Sequence, residues 1–158
     1  MELPEIIITS RTGAGSRLGS TRRGGHIKYV VSIGGGDRDN RPPYGFQEHP
    51  SQKLRLFFED DVYDTPVGPK QHHMEKLVQF LERVDGPVLF HCYAGVSRST
   101  AAAYILLAMW LGPGKEQEAA HKLLEIRPGA HPNPLMLQMA EEILGREGFY
   151  DAWYGATS

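Results

Sequence analysis

The run His91-Cys92-Tyr93-Ala94-Gly95-Val96-Ser97-Arg98-Ser99-Thr100 holds a sulfur nucleophile and a guanidinium separated by five residues. Cys92 closes the apolar stretch VLFH, and Arg98 opens a long apolar stretch with helical spacing. A loop of that length between a strand and a helix can curl until its backbone N–H groups converge on one point, which makes an anion cradle. The helix behind it adds the positive end of its dipole. Gly95 opens a backbone conformation closed to other residues. The planar fork of Arg98 can grip two oxygens of a phosphate. The field that attracts an oxyanion also favours the thiolate form of Cys92, so anion site and nucleophile coincide. The competing reading is a buried structural cysteine, the usual fate of a lone thiol.

The flanking sequence supplies elements that can position this run. Glu5 to Thr9, His26 to Ile33 and Val88 to Cys92 read as strands from their β-branched and aromatic content. Lys53 to Phe58 alternates, with Leu54, Leu56 and Phe58 on one face. Met74, Leu77, Val78 and Leu81 follow the helical period and predict a helix from Lys70 to Val84. The segment from Ser99 to Gly112 is apolar on almost every face and belongs inside the protein. Lys115 to Ile126 is a third helix, and Asn133 and Pro134 offer a cap and a first-turn residue to a fourth. Ser10 to Gly25, with five glycines and four arginines (Arg11, Arg17, Arg22 and Arg23), reads as a loop, as does Gly34 to Gly45. Strand–helix alternation around a buried strand implies α/β architecture, one domain over residues 1–158, with a mostly parallel central sheet and helices on both faces.

HCYAGVSRS resembles the His-Cys-x5-Arg-Ser/Thr signature of the protein tyrosine phosphatase superfamily, and the short chain is most similar to its compact dual-specificity-like members, bacterial ones included. The resemblance runs from about Val30 to Leu144 and takes in LRLFFEDD, the helix before the signature, and Arg127-Pro128 with Pro132-Asn133 before the last helix. It implies that Cys92 attacks phosphorus to give a cysteinyl-phosphate. Arg98 and the N–H groups of Tyr93, Ala94, Gly95, Val96, Ser97 and Arg98 would hold the other oxygens. His91 is expected to orient the loop and help keep the thiol ionised, and Ser99 to assist departure of the thiolate. No metal or cofactor is expected, since loop and arginine supply the charge stabilisation. The family also uses an aspartate on a loop after a strand as general acid. Asp60, Asp61 and Asp64 are the candidates, and continuing the parity of Leu54, Leu56 and Phe58 selects Asp60, with Asp61 the alternative. The bland reading of Glu59-Asp60-Asp61 is a solvated acidic turn.

Composition narrows the classes further. Apolar residues are 41% and charged residues 23% of 158, the proportions of a globular chain. Seventeen basic against nineteen acidic side chains give a net charge of -2, which gives nucleic-acid binding no support from global charge. One cysteine rules out an internal disulfide or a paired-cysteine zinc site and suits a reducing compartment. The apolar run from Ala101 to Leu111 is about half the ~20 residues a membrane span needs, so a cytoplasmic protein without a membrane partner is expected. His72-His73 reads as a pair of exposed helix histidines, and Phe149, Tyr150, Trp153 and Tyr154 as an aromatic tail packing back on the domain. The arginines of residues 10–25 read as solvated, the rival being a docking rim for phosphoproteins. The expected partners are a phosphorylated protein or peptide, with phosphate or sulfate filling the loop. The rivals are a phosphatase for phosphoinositide or RNA phosphate, a sulfur transferase, and a non-catalytic phosphate-binding module. The uncharged side chains of Tyr93, Ala94, Val96 and Ser97 weigh against a multiply charged substrate.

Overall fold

A computed structural model describes residues 2–155. Four strands, β1 (Ile6–Thr9), β2 (Tyr29–Gly34), β3 (Gln52–Phe57) and β4 (Val88–His91), form one fully parallel sheet in the order β1-β4-β2-β3. The helices are α1 (Arg11–Leu18), α2 (Thr21–Gly24), α3 (Gln71–Leu81), α4 (Arg98–Leu111), α5 (Glu116–Ile126) and α6 (Pro134–Leu144), with a 3-10 turn at Asp37–Asp39 and a π-helical turn at Asp151–Gly155. None of the described helices is long and apolar enough to cross a membrane.

Alternation along the strands divides the sheet into two faces. Ile8, Val31, Ile33, Leu56 and Phe90 join the larger core with side chains of α3, α4, α5 and α6. α4 is buried from Arg98 to Ala108, which explains why its sequence is apolar all round. Phe149 is buried against Tyr104, and Trp153 and Tyr154 pack on the same core, so the aromatic tail folds back on the domain. On the opposite face Ile7, Val30 and Leu89 meet Ala14 and Leu18 of α1, with Ile27 and Phe46.

That second face corrects the reading of residues 10–25 as a loop. They form α1 and α2, each entered through a serine cap: Ser10 Oγ accepts from Gly13 N at 3.0 Å, and Ser20 Oγ from Arg23 N at 3.2 Å. The glycines there are sites of close approach rather than breakers. A Cβ on Gly13 would lie 1.9 Å from Thr9 Oγ1, and one on Gly24 would lie 2.2 Å from the Arg17 carbonyl oxygen. With Ala14 and Leu18 as the only buried apolar side chains of α1, the helical period was too thin to register. Arg11 is only half-exposed, and its Nη2 donates to the carbonyls of Arg41 and Pro42, at 3.2 and 3.3 Å.

Helix propensity and packing oppose each other at Gly24. Alanine is the better helix former by ~1 kcal/mol. Here, however, its methyl meets immobile backbone, an overpacking cost of ~1–3 kcal/mol. Gly24→Ala is therefore expected to lower the urea midpoint; an unchanged or higher midpoint would contradict the close packing of α2 on α1.

Candidate active site

β4 delivers His91 and Cys92 to the C-terminal edge of the sheet, and the chain turns through residues 93–97 into α4. Gly95 sits at φ +73, where its missing Cβ would stand 2.6 Å from the Thr9 carbonyl, so both conformation and space require glycine. The loop carbonyls are held from outside. Tyr93 O accepts from Arg11 N at 3.0 Å, Gly95 O from Arg127 Nε at 3.0 Å, Val96 O from His131 N at 2.8 Å, and Ser97 O from Asn133 N at 3.1 Å. In a planar trans peptide the N–H lies opposite the C=O. Pinning the carbonyls outward therefore turns the following N–H groups toward the hollow of the loop.

That hollow is a pocket of about 270 Å³ lined by Cys92, Arg98, Asp39, Asp60, Gly35 and Arg38, together with the signature loop. Cys92 is 3% exposed, and its Sγ lies 3.1 Å from Ser99 Oγ. Arg98 is 7% exposed; Nη1 donates to the Phe58 carbonyl at 2.8 Å, and Nη2 stands 4.0 Å from Asp39 Oδ2. Arg98 Nε and Asp39 Oδ2 are buried without a hydrogen-bond partner among the described residues. A buried guanidinium with an unused donor beside a ring of N–H groups is built to receive an oxyanion. Arg38 stacks over the Tyr93 ring at 4.6 Å at the mouth.

The three candidate acids have separate fates. Asp60 lines the pocket, and its Oδ1 accepts from Ser97 Oγ at 2.7 Å and Asn133 Nδ2 at 2.8 Å. Asp61 turns its carboxylate to the Thr65 hydroxyl at 2.5 Å, and Asp64 pairs with Lys70 at 2.7 Å. Asn133 has a second duty that its reading as a helix cap missed. Its Oδ1 accepts from Met136 N at 3.0 Å, while its Nδ2 also donates to the Asp61 carbonyl at 3.0 Å. The spare amide of a capping asparagine was the only hint in the sequence.

His91 is 1% exposed, and burial pulls its pKa down to about 4. Its Nδ1 lies 3.2 Å from the Cys92 carbonyl and Nε2 2.6 Å from Ser32 Oγ. The ring is therefore neutral near pH 7 and lends the sulfur no charge of its own. The His72-His73 pair needs a correction too. His73 is partly buried, stacks on Phe58 with ring centroids 4.8 Å apart, and accepts from Lys70 N through Nδ1 at 2.9 Å. Burial also takes its pKa down to about 4.

No protein-family model matches the chain. Dual specificity protein phosphatase 15 of Rattus norvegicus is 38% identical over 86 residues, covering 51% of this chain and 35% of that protein. A probable dual specificity protein phosphatase of Dictyostelium discoideum is 34% identical over 95 residues, covering 57% of this chain and 23% of its own length. The chain thus spans about a third or less of the curated relatives it matches. Among solved structures, human DUSP28 superposes with a TM-score of 0.65 at 22% identity, covering 99% of this chain and 97% of that one. The human tyrosine phosphatase-like serine/threonine/tyrosine-interacting protein gives 0.69 at 22%, with 90% and 93% covered. PTPMT1 in complex with PI(5)P gives 0.62 at 17%, with 98% and 95% covered. These likenesses show that the fold is the one dual-specificity phosphatases share.

Buried His91 and partly buried His73 set an acid limit on stability. Unfolded, each takes up a proton near pH 6.5. Folded, each resists protonation until about 4. Between those values the unfolded chain binds more protons, so stability is complete above pH 6.5 and falls as pH drops toward 4. His73→Gln, which keeps an acceptor for Lys70 N without a titrating ring, is expected to lose less stability over that window in urea titrations. An identical acid loss in the variant would contradict the neutral capping role.

Proposed function

We propose that this chain, a dual-specificity-like member of the protein tyrosine phosphatase superfamily by fold and by sequence similarity, hydrolyses phosphate monoesters of tyrosine, and of serine or threonine, in proteins or peptides. The observation that carries the reading is the convergence of Cys92, Arg98 and Asp60 on one pocket.

In this reading, the loop N–H groups and Arg98 bind the three non-bridging oxygens, and the Cys92 thiolate attacks phosphorus in line with the ester oxygen. The S–P bond forms as the P–O bond breaks, and the leaving oxygen takes a proton from Asp60. The two hydrogen bonds that described residues give Asp60 both end on Oδ1, and in this reading Oδ2 carries that proton. In the second half, the Asp60 carboxylate removes a proton from water. The water oxygen attacks phosphorus, and the sulfur leaves as a thiolate that the Ser99 hydroxyl, 3.1 Å away, stabilises. The chemistry needs no redox step and no metal, since N–H groups and guanidinium neutralise the charge that develops. A free nucleophilic thiol must stay reduced, so we assign its work to the cytoplasm. A phosphoinositide, the ligand class named for the PTPMT1 complex, is the alternative substrate; the uncharged loop side chains favour a single phosphate instead.

The acid is the most discriminating part of this mechanism. Asp60→Asn is expected to reduce turnover by ~10²–10⁴-fold and to flatten the alkaline limb of the kcat/KM profile. The loss should be largest for a phosphothreonine peptide, whose alkoxide leaves poorly, and smallest for para-nitrophenyl phosphate. Asp61→Asn and Asp64→Asn should keep the wild-type profile. The pattern appearing in Asp61→Asn, or in none of the three, would overturn the assignment.

A further inference from the structure

We infer that Arg55 is a positioning residue that fixes the signature loop through Ser32 and His91, an inference that rests on reading Cys92 as the nucleophile. The strand register sets four polar side chains side by side across the whole sheet. Thr9 pairs with His91, His91 with Ser32, and Ser32 with Arg55. Ser32 and His91 are almost completely buried, and Arg55 is partly so.

The hydrogen bonds along this row run one way only. Arg55 Nη1 lies 2.9 Å from Ser32 Oγ, and a guanidinium can only donate. At the far end the Cys92 carbonyl can only accept, so His91 Nδ1 carries the proton, and Nε2 must accept from the Ser32 hydroxyl. The guanidinium takes one lone pair of Ser32 Oγ and favours turning the hydroxyl hydrogen toward His91 Nε2, which supports the tautomer that the Cys92 carbonyl sets and anchors that carbonyl at the root of the loop. Its other arm crosses to the opposite pocket wall, where Nη2 donates to the Asp39 carbonyl at 2.8 Å. Asp39 Oδ1 in turn accepts from Gly35 N at 2.8 Å. The crossing depends on Gly34, whose absent Cβ would stand 2.3 Å from Arg55 Nη2 and 2.5 Å from the Asp39 oxygen. One guanidinium thus ties the root of the nucleophile loop to the wall that faces Arg98. The other charges bearing on the row are Arg11 at the start of α1, Arg98 at the start of α4, and Asp39.

Without Arg55, Ser32 loses the charged donor that turns its hydroxyl hydrogen toward His91 Nε2, and the hold of the Nδ1–H on the Cys92 carbonyl weakens. The thiolate is the reactive form of cysteine, so alkylation of Cys92 by iodoacetamide across pH reads the state of the loop without turnover. Arg55→Met is expected to slow alkylation at pH 6 by about tenfold, the factor from losing one charge-assisted hydrogen bond, with little change at pH 10. Ser32→Ala, which cuts the row but keeps the arginine, should act in the same direction, and it serves if Arg55→Met does not fold. The double variant should be no slower than Arg55→Met alone. Arg55→Lys, which keeps the charge but cannot span both acceptors, should recover only part of the loss. Wild-type pH dependence in folded Arg55→Met and Ser32→Ala, multiplicative losses in the double variant, or full recovery with lysine would each overturn the inference. Failure of the phosphatase reading shows separately, as wild-type protein that does not turn over para-nitrophenyl phosphate.

Discussion

A guanidinium held out of water beside inward-turned N–H groups is the constraint on which this structure depends. Among the described residues Arg98 has only the Phe58 carbonyl as a hydrogen-bond acceptor, a carboxylate oxygen at 4.0 Å, and an unused Nε. Burying so much positive character is unfavourable unless something negative is held there. In the proposed mechanism an incoming phosphate restores the balance, bound by the same field in which the Cys92 sulfur stands. Gly35 belongs to this constraint, since a Cβ there would stand 2.2 Å from the Phe58 oxygen and 2.9 Å from Arg98 Nη1.

The fold supplies the constraint by placing carbonyl acceptors and side-chain donors on opposite sides of a five-residue turn. Arg11 at the start of α1, and Arg127, His131 and Asn133 in the connection between α5 and α6, arrive from two distant parts of the chain to hold loop carbonyls, and none of them need touch the substrate. Asn133 joins this support to the acidic turn, because the same amide grips Asp60 and the Asp61 carbonyl. One helix cap therefore links the signature loop to Asp60. The sheet does the corresponding work from beneath, where its apolar face is sealed by α4 and the polar row from Thr9 to Arg55 lies under the loop.

The legible parts were those encoded by short-range spacing. Cys92 and Arg98 stand out because the motif is continuous, and Asp60 follows from the alternation of β3, which continues past its last paired residue to buried Phe58 and the pocket rim. α1 and α2 escaped because glycines that permit close contact look the same in sequence as glycines that break helices. Arg55, Ser32 and Asp39 could not be singled out, because their roles require β2 to lie between β3 and β4. Nothing local to those residues dictates that strand order. His91 was legible as part of the motif, but its neutrality is a product of burial by residues far along the chain.

The central claim is that Cys92 makes a covalent bond to phosphorus. Mixing the protein with para-nitrophenyl phosphate, quenching in acid within the first turnovers and mapping the chain by mass spectrometry tests it directly. The account predicts one added phosphoryl group, carried on Cys92, that disappears as the substrate is exhausted. Hydrolysis with no phosphorylated Cys92, or with the phosphoryl group on a different side chain, would contradict it.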